Sequence, residues 1–287
     1  ITATVYQEII GDFAYDDVLD YEIEVSMNQS GFPFETTDQV FCAPAVVDLD
    51  QDGDNEIIFG DNSGMFYFLN HDMSIYNSYD MGDEIWGAPA IDDLTGDGNL
   101  EVAITCKSGI FYIFNHLGNV IYEYDEEVYL TGAPAIGVLD ISNGASIEQD
   151  VKSICYPIFD NTQGGVRCIA KLGEDNFWFT DVLSLELGDR VQKGVALHDI
   201  DNNGSDDIVF GTDSDQIHFY STTYGAGYTT FEVGDKIRSA PIIIKFNNNE
   251  FLVIAGSKDD NLYAFNPILD TEQFVYETGG DVHSPSV

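Results

Sequence analysis

Ala43-Pro44-Ala45, Ala88-Pro89-Ala90 and Ala133-Pro134-Ala135 are spaced by 45 residues, and Gly188-Asp189, Gly234-Asp235 and Gly280-Asp281 by 46. A fixed period of this length marks one supersecondary unit repeated along the chain, each copy burying its apolar face against the next. Apolar runs inside the period are short and bounded by turn residues, as in Gly109-Ile110-Phe111-Tyr112-Ile113-Phe114 and Asn261-Leu262-Tyr263-Ala264-Phe265. They read as strands, and helical periodicity is absent. A period in the mid-forties rich in short strands implies the four-stranded blades of an all-β propeller. The repeats run over about 38–83, 84–128, 129–189, 190–235 and 236–281, within a single domain of 287 residues. The third is longer by about fifteen residues, which we assign to loops.

Three repeats carry an acidic loop between two such strands. Asp48-Leu49-Asp50-Gln51-Asp52-Gly53-Asp54-Asn55-Glu56 places side-chain acids at alternate positions, with glycine at the sixth and an acid at the ninth. Calcium takes six to eight hard oxygen ligands in a flexible geometry, and such a loop supplies them. The glycine permits the sharp turn that folds the acids around one ion. An EF-hand would carry its bidentate glutamate at the twelfth position and run into a helix. Here Ile57-Ile58-Phe59 follows, a strand. The loop recurs as Asp93-Leu94-Thr95-Gly96-Asp97-Gly98-Asn99-Leu100-Glu101 and as Asp199-Ile200-Asp201-Asn202-Asn203-Gly204-Ser205-Asp206-Asp207.

With these loops, the Phe59-Gly60 and Phe210-Gly211 pairs and the Ala-Pro landmarks, nearly the whole chain resembles the FG-GAP/VCBS repeats, whose members include the integrin α-subunit propeller. The resemblance implies calcium held by the side chains of positions 1, 3, 5 and 9 and the carbonyl of position 7. The first site is then Asp48, Asp50, Asp52, Asp54 (backbone) and Glu56. The second is Asp93, Thr95, Asp97, Asn99 (backbone) and Glu101. The third is Asp199, Asp201, Asn203, Ser205 (backbone) and Asp207. The last two each replace a carboxylate with a neutral oxygen, so weaker binding is expected there. Asp140-Ile141-Ser142-Asn143-Gly144 is a degenerate copy, and Lys245-Phe246-Asn247-Asn248-Asn249-Glu250 has lost its acids and is assigned no metal.

The ends suggest how the ring closes. Residues 1–37 align with the later part of a repeat, Gln7-Glu8-Ile9-Ile10-Gly11-Asp12 matching Asn55-Glu56-Ile57-Ile58-Phe59-Gly60-Asp61 with one residue fewer. Residues 282–287 match only a first strand. Together they make a sixth blade of mixed origin, and closure removes exposed sheet edges. Two alternatives stand beside it: a fragment of a propeller of seven or more blades, and pairing of the last strand with another molecule.

The chain carries 51 acidic against 10 basic residues, a net charge of −41. Three calcium ions would leave about −35. Such a surface repels nucleic acid and anionic membranes, and salt screens its self-repulsion. No run is long enough to span a membrane. The chain begins at Ile1, which we read as a processed or trimmed product. These features point to a secreted or cell-surface protein, where millimolar calcium would load even weak sites. Of four cysteines, Cys155 and Cys168 fall on neighbouring strand segments of the third repeat and suit a disulfide in an oxidising compartment. Cys42 and Cys106 are not paired by sequence.

Five histidines form no metal or triad pattern, and Trp86 and Trp178 are too few for the tryptophan-rich docking motifs of quinone-dependent dehydrogenase propellers. A binding, adhesion or assembly module for an extracellular protein or glycan is the leading expectation. A polysaccharide-active, lyase-like enzyme and a structural subunit of a surface filament or layer, assembling through its terminal strands, are the alternatives. In the resembled family the calcium loops occupy one face, and the segments leading into each first strand occupy the other. Those lead-in positions read Phe41, Trp86, Thr131, Gln192, Arg238 and His283, a set able to meet a glycan or peptide side chain.

Overall fold

The computed structural model of the chain describes residues 2–4, 20–22, 33–140, 150–160, 164–172, 179–222, 228–247 and 250–283. The chain divides into two compact units, Ile1–Glu35 and Thr36–Val287. In the first, β1 (Thr2–Thr4) pairs antiparallel with β2 (Asp20–Glu22), Ala3 opposite Tyr21. The expected sixth blade draws on residues 1–37 and 282–287, most of which lie outside the described residues.

The second unit is all-β, with no helix among its described residues. Five four-stranded antiparallel sheets follow one another along the chain. The first is β3 (Ala45–Val47), β4 (Glu56–Gly60), β5 (Met65–Leu69) and β6 (Ile75–Asp80). The second is β7 (Ala90–Asp92), β8 (Glu101–Thr105), β9 (Ile110–Phe114) and β10 (Val120–Asp125). The third is β11 (Ala135–Asp140), β12 (Asp150–Phe159), β13 (Gly164–Lys171) and β14 (Phe179–Glu186). The fourth is β15 (Val195–His198), β16 (Asp207–Gly211), β17 (Gln216–Tyr220) and β18 (Tyr228–Glu232). The fifth is β19 (Ile242–Asn247), β20 (Glu250–Gly256), β21 (Asn261–Asn266) and β22 (Thr271–Glu277). Strand order in space equals strand order in sequence, as hairpin-connected blades require.

Middle strands are buried on both faces, so their sequences are continuously apolar rather than alternating. In β8 all five residues are buried, whereas the outer strand β6 alternates between exposed and half-buried positions. Sheets pack face to face through aromatics. Phe114 meets Phe66 at 5.3 Å and Phe68 at 5.6 Å, joining the first two sheets. Phe111 stacks on Tyr156 at 4.4 Å, joining the second and third. Phe231 stacks on Phe265 at 4.4 Å, joining the fourth and fifth. Where the lead-in segments meet, neighbouring backbones nearly touch. A Cβ on Gly132 would lie 2.9 Å from the Gly194 nitrogen and 2.3 Å from a carbon of Pro157, so only glycine fits.

The extra length of the third repeat does not all lie in loops. Its second, third and fourth strands have 10, 8 and 8 residues, against 5, 5 and 6 in the first sheet. Extra residues that keep an apolar pattern extend the ladder, because a longer paired strand satisfies more backbone polar groups than a longer loop does.

Candidate metal centres

Each acidic loop joins the first strand of a sheet to its second, and all three fold alike. Positions 4 and 6 hold positive φ angles in every copy: Gln51 and Gly53 at 62° and 101°, Gly96 and Gly98 at 77° and 87°, Asn202 and Gly204 at 59° and 100°. Glycine, and asparagine at lower frequency, tolerates this region and fills five of these six positions; Gln51 holds it in the first loop. Position 2 is a buried anchor, Leu49, Leu94 or Ile200. Its amide donates to the carboxylate at position 9: Leu49 N to Glu56 Oε2 at 2.8 Å, Leu94 N to Glu101 Oε2 at 2.9 Å, Ile200 N to Asp207 Oδ2 at 3.0 Å. The acid at position 1 accepts from the glycine at position 6: Gly53 N to Asp48 at 3.1 Å, Gly98 N to Asp93 at 3.0 Å, Gly204 N to Asp199 at 3.0 Å. Position 5 accepts from the amide of position 7 in Asp52–Asp54, Asp97–Asn99 and Asn203–Ser205. The backbone thus orients the acids in all three loops.

The loops differ in how their acids converge. In the first, carboxylate oxygens of Asp48, Asp50 and Glu56 lie within 4.8 Å of one another, and in the third so do those of Asp199, Asp201 and Asp207. Asp52 stands outside the first group, exposed. His71 Nδ1 lies 3.4 Å from Asp54 Oδ2 at the loop tip. Among the described residues these two groups are the only gatherings of this kind, and the second loop is not one of them.

Both gatherings fit a divalent cation. Glu56 and Asp207 are buried, at 1% and 0% exposure. Oδ1 of Asp48 and Oδ1 of Asp207 are buried and accept no hydrogen bond. A buried carboxylate oxygen without a partner costs free energy that a coordinated ion removes. Burial raises the pKa of Glu56, with Asp50 and Asp52 adding repulsion. Burial pushes Asp207 up to about 7, and Asp201 adds to it. A cation here inverts that logic by favouring the ionised carboxylates. The donors are all oxygens, the chemistry of a hard cation such as calcium, magnesium or manganese rather than of a soft metal.

Asn247 pairs with Glu250, so the fifth sheet joins β19 to β20 by a tight hairpin with no room for a nine-residue loop. Residues 141–149 of the degenerate copy lie outside the described residues.

At the lead-in positions the side chains are already engaged in different ways. Phe41 is 64% exposed. Trp86 is half-buried, donates from Nε1 to Glu84 at 2.8 Å and carries Lys107 Nζ 5.0 Å above its ring. Thr131 is buried and donates to the Gln192 carbonyl at 3.3 Å. Arg238 makes a two-pronged pair with Asp213, at 3.1 and 3.0 Å. His283 Nε2 lies 3.4 Å from Asp281. Cys155 and Cys168 face each other across β12 and β13 and are joined by a disulfide. The thiols of Cys42 and Cys106 are free, buried and directed at the carbonyls of Gly87 and Asp83.

No family profile and no curated protein matches the chain. Solved structures do, at low identity. BBS1N, crystallised in complex with ARL6DN, aligns over 85% of this chain and 70% of its own, with TM-score 0.58 and 11% identity. Sqt1 of Saccharomyces cerevisiae aligns over 79% and 60%, with TM-score 0.54 and 15% identity. BamB of Moraxella catarrhalis aligns over 82% and 63%, with TM-score 0.53 and 18% identity. These are propeller-like structures of repeated four-stranded antiparallel sheets, so the chain has a β-propeller fold.

Proposed function

We propose that this chain is a calcium-stabilised extracellular propeller that acts as a binding, adhesion or assembly module, and that it belongs with the FG-GAP/VCBS repeats. The carrying observation is the pair of converged carboxylate groups, Asp48–Asp50–Glu56 and Asp199–Asp201–Asp207, each with a buried unpartnered oxygen. A disulfide supports an oxidising, secreted setting, in which calcium is abundant. BBS1N, similar in fold, was crystallised with a protein partner, and propellers lend themselves to such contacts.

A further blade is proposed to begin at residue 282. Val282 supports this. Its amide donates to the Ser257 carbonyl at 3.1 Å, as Ile85 does to Asp61 at 3.2 Å and Ile237 to Thr212 at 3.0 Å. The chain at 282 therefore repeats the start of a further blade. Partner contact is proposed at the lead-in face, through Phe41 and Trp86 above all, because aromatic anchors dominate binding energy.

Calorimetric titration of chelator-treated protein with calcium tests the metal reading. Saturable binding that Asp50→Asn weakens supports it, and the absence of bound metal refutes it. A glycan array run beside a reducing-sugar release assay separates a binder from a lyase. Trp86→Ala should abolish partner capture with calcium binding intact.

A further inference from the structure

A cavity of about 330 Å³ opens beside the second acidic loop. Asp97 and Glu101 of that loop line it with His116 and Ile121 of the same sheet and with Lys171 and Phe179 of the third. Its polar groups are held in place by bonds within the fold. Glu101 Oε2 accepts from the Leu94 and Thr95 amides at 2.9 and 3.0 Å, and Asp97 Oδ1 from the Asn99 amide at 2.8 Å. Lys171 Nζ donates to the Thr95 carbonyl at 2.9 Å, and an ammonium has two further N–H groups. The turn that carries His116 is fixed from inside by Asn115 Oδ1, which accepts from the Leu117 and Asn119 amides at 3.1 and 2.9 Å. The first sheet braces the same turn. Tyr76 donates its hydroxyl to the His116 carbonyl at 3.3 Å, and Asn77 Nδ2 donates to the Leu117 carbonyl at 2.9 Å. Groups fixed in advance lose little freedom when a ligand arrives, which favours affinity.

We propose that this cavity is a carbohydrate site that takes one neutral sugar unit of a glycan. The proposal rests on the binding-module reading above, though not on the lead-in face or on an ion in the second loop. Charge narrows the ligand class. A carboxylate ligand would face Asp97 and Glu101, and an ammonium ligand would face Lys171, so either meets like charge at contact. A hydroxyl both donates and accepts. A neutral ring of hydroxyls therefore donates to the two carboxylates and accepts from Lys171, and brings no charge of its own. Ile121, 40% exposed, and Phe179 offer apolar surface to the C–H face of such a ring. Ligand clefts span about 300–1,000 Å³, and a volume at the small end of that range suits a single unit rather than a length of chain.

Saturation-transfer NMR and calorimetry on the full chain test this, with the methyl glycosides of glucose, galactose, mannose and N-acetylglucosamine and with methyl glucuronide as probes. We expect saturable binding of at least one neutral glycoside, and weaker binding of the glucuronide than of the glucoside. Lys171→Met should weaken the neutral sugar at least tenfold, because it removes a hydrogen bond from a charged donor. Ile121→Asp should weaken it as much by setting a carboxylate in the apolar wall. Lys258→Met, which removes a lysine from the fifth sheet, should leave the binding unchanged. Failure of every neutral glycoside to bind would overturn the carbohydrate site, while partner capture that Trp86→Ala abolishes would leave the binding-module reading standing. A glucuronide held as tightly as the glucoside would overturn the neutral-sugar assignment. Sugar binding that survives both Lys171→Met and Ile121→Asp, with the fold intact by circular dichroism, would overturn the cavity as its place.

Discussion

The first and third sheets share one strand order and differ in what fastens their strands. In the first, β3 and β4 are short, and the loop between them converges three carboxylates on a single point. In the third, β12 and β13 are long and carry the Cys155–Cys168 disulfide, and an interior ion pair fastens the sheet to its neighbour. There Glu126, 1% exposed, accepts from the Tyr156 hydroxyl and lies 3.2 Å from Arg167. On the proposed metal reading, one sheet leaves its fastening to an ion in the medium, and the other carries its fastening in its own covalent structure. The contrast teaches that a repeated unit need not be stabilised by repeated means.

The largest effect that would break this contrast is chelation. An ion that binds only the folded state contributes about 2.7 kcal/mol at a hundredfold excess over its dissociation constant, so two loops lose about 5 kcal/mol together. Scanning calorimetry with and without chelator checks it. A melting curve unmoved by chelator would remove the distinction altogether. Next is the disulfide, which closes a short loop with a sequence separation of 13. Cys155→Ala with Cys168→Ala should cost about 3 kcal/mol. That loss should be the same with calcium or chelator present, because the two fastenings lie on different sheets. Strong dependence on calcium would mean that the sheets are not independent.

A smaller effect comes from pH in chelator. Asp207 is pushed up to about 7 in the fold by burial, above its unfolded value. A raised carboxyl pKa means that the fold gains stability as pH falls through that value and loses it as pH rises. Between pH 8 and pH 6 the contribution is about 1.4 kcal/mol, read as the difference between the unmodified chain and Asp207→Asn. Added calcium should reverse the sign, since protons then compete with the ion. An identical pH profile for both proteins would exclude Asp207 as a buried, metal-ready acid. The smallest effect is Lys152→Met in chelator. Its pair with Asp92 is well exposed to solvent, so denaturant titration should show about 0.5 kcal/mol or less.

Much of this molecule is legible one repeat at a time. The 45-residue beat places the strands, and Gly53, Gly98 and Gly204 place the turns. Cys155 and Cys168 sit on adjacent strands joined by a short connection, so their pairing is a local matter of register. Other features are not local. Thr131 and Arg238 look available in a linear reading, yet Thr131 is buried under the next segment and Arg238 is held by Asp213, 25 residues earlier. Asp52 reads as a ligand by spacing and stands apart from the converged acids.

What the sequence determines by itself is the repeating unit: four strands, a hairpin order and an acidic turn built around a glycine at its sixth position. These are nearest-neighbour properties of a chain, governed by backbone sterics within a few residues. What only the tertiary structure decides is which acids of a turn converge, as Asp48, Asp50 and Glu56 do without Asp52, and which side chains of a neighbouring sheet reach it. Lys152 and Lys171 reach the second loop across sequence separations of 59 and 76, because the third sheet stacks on the second. Side chains from a neighbouring sheet arrive by packing, at separations that no motif within the loop encodes.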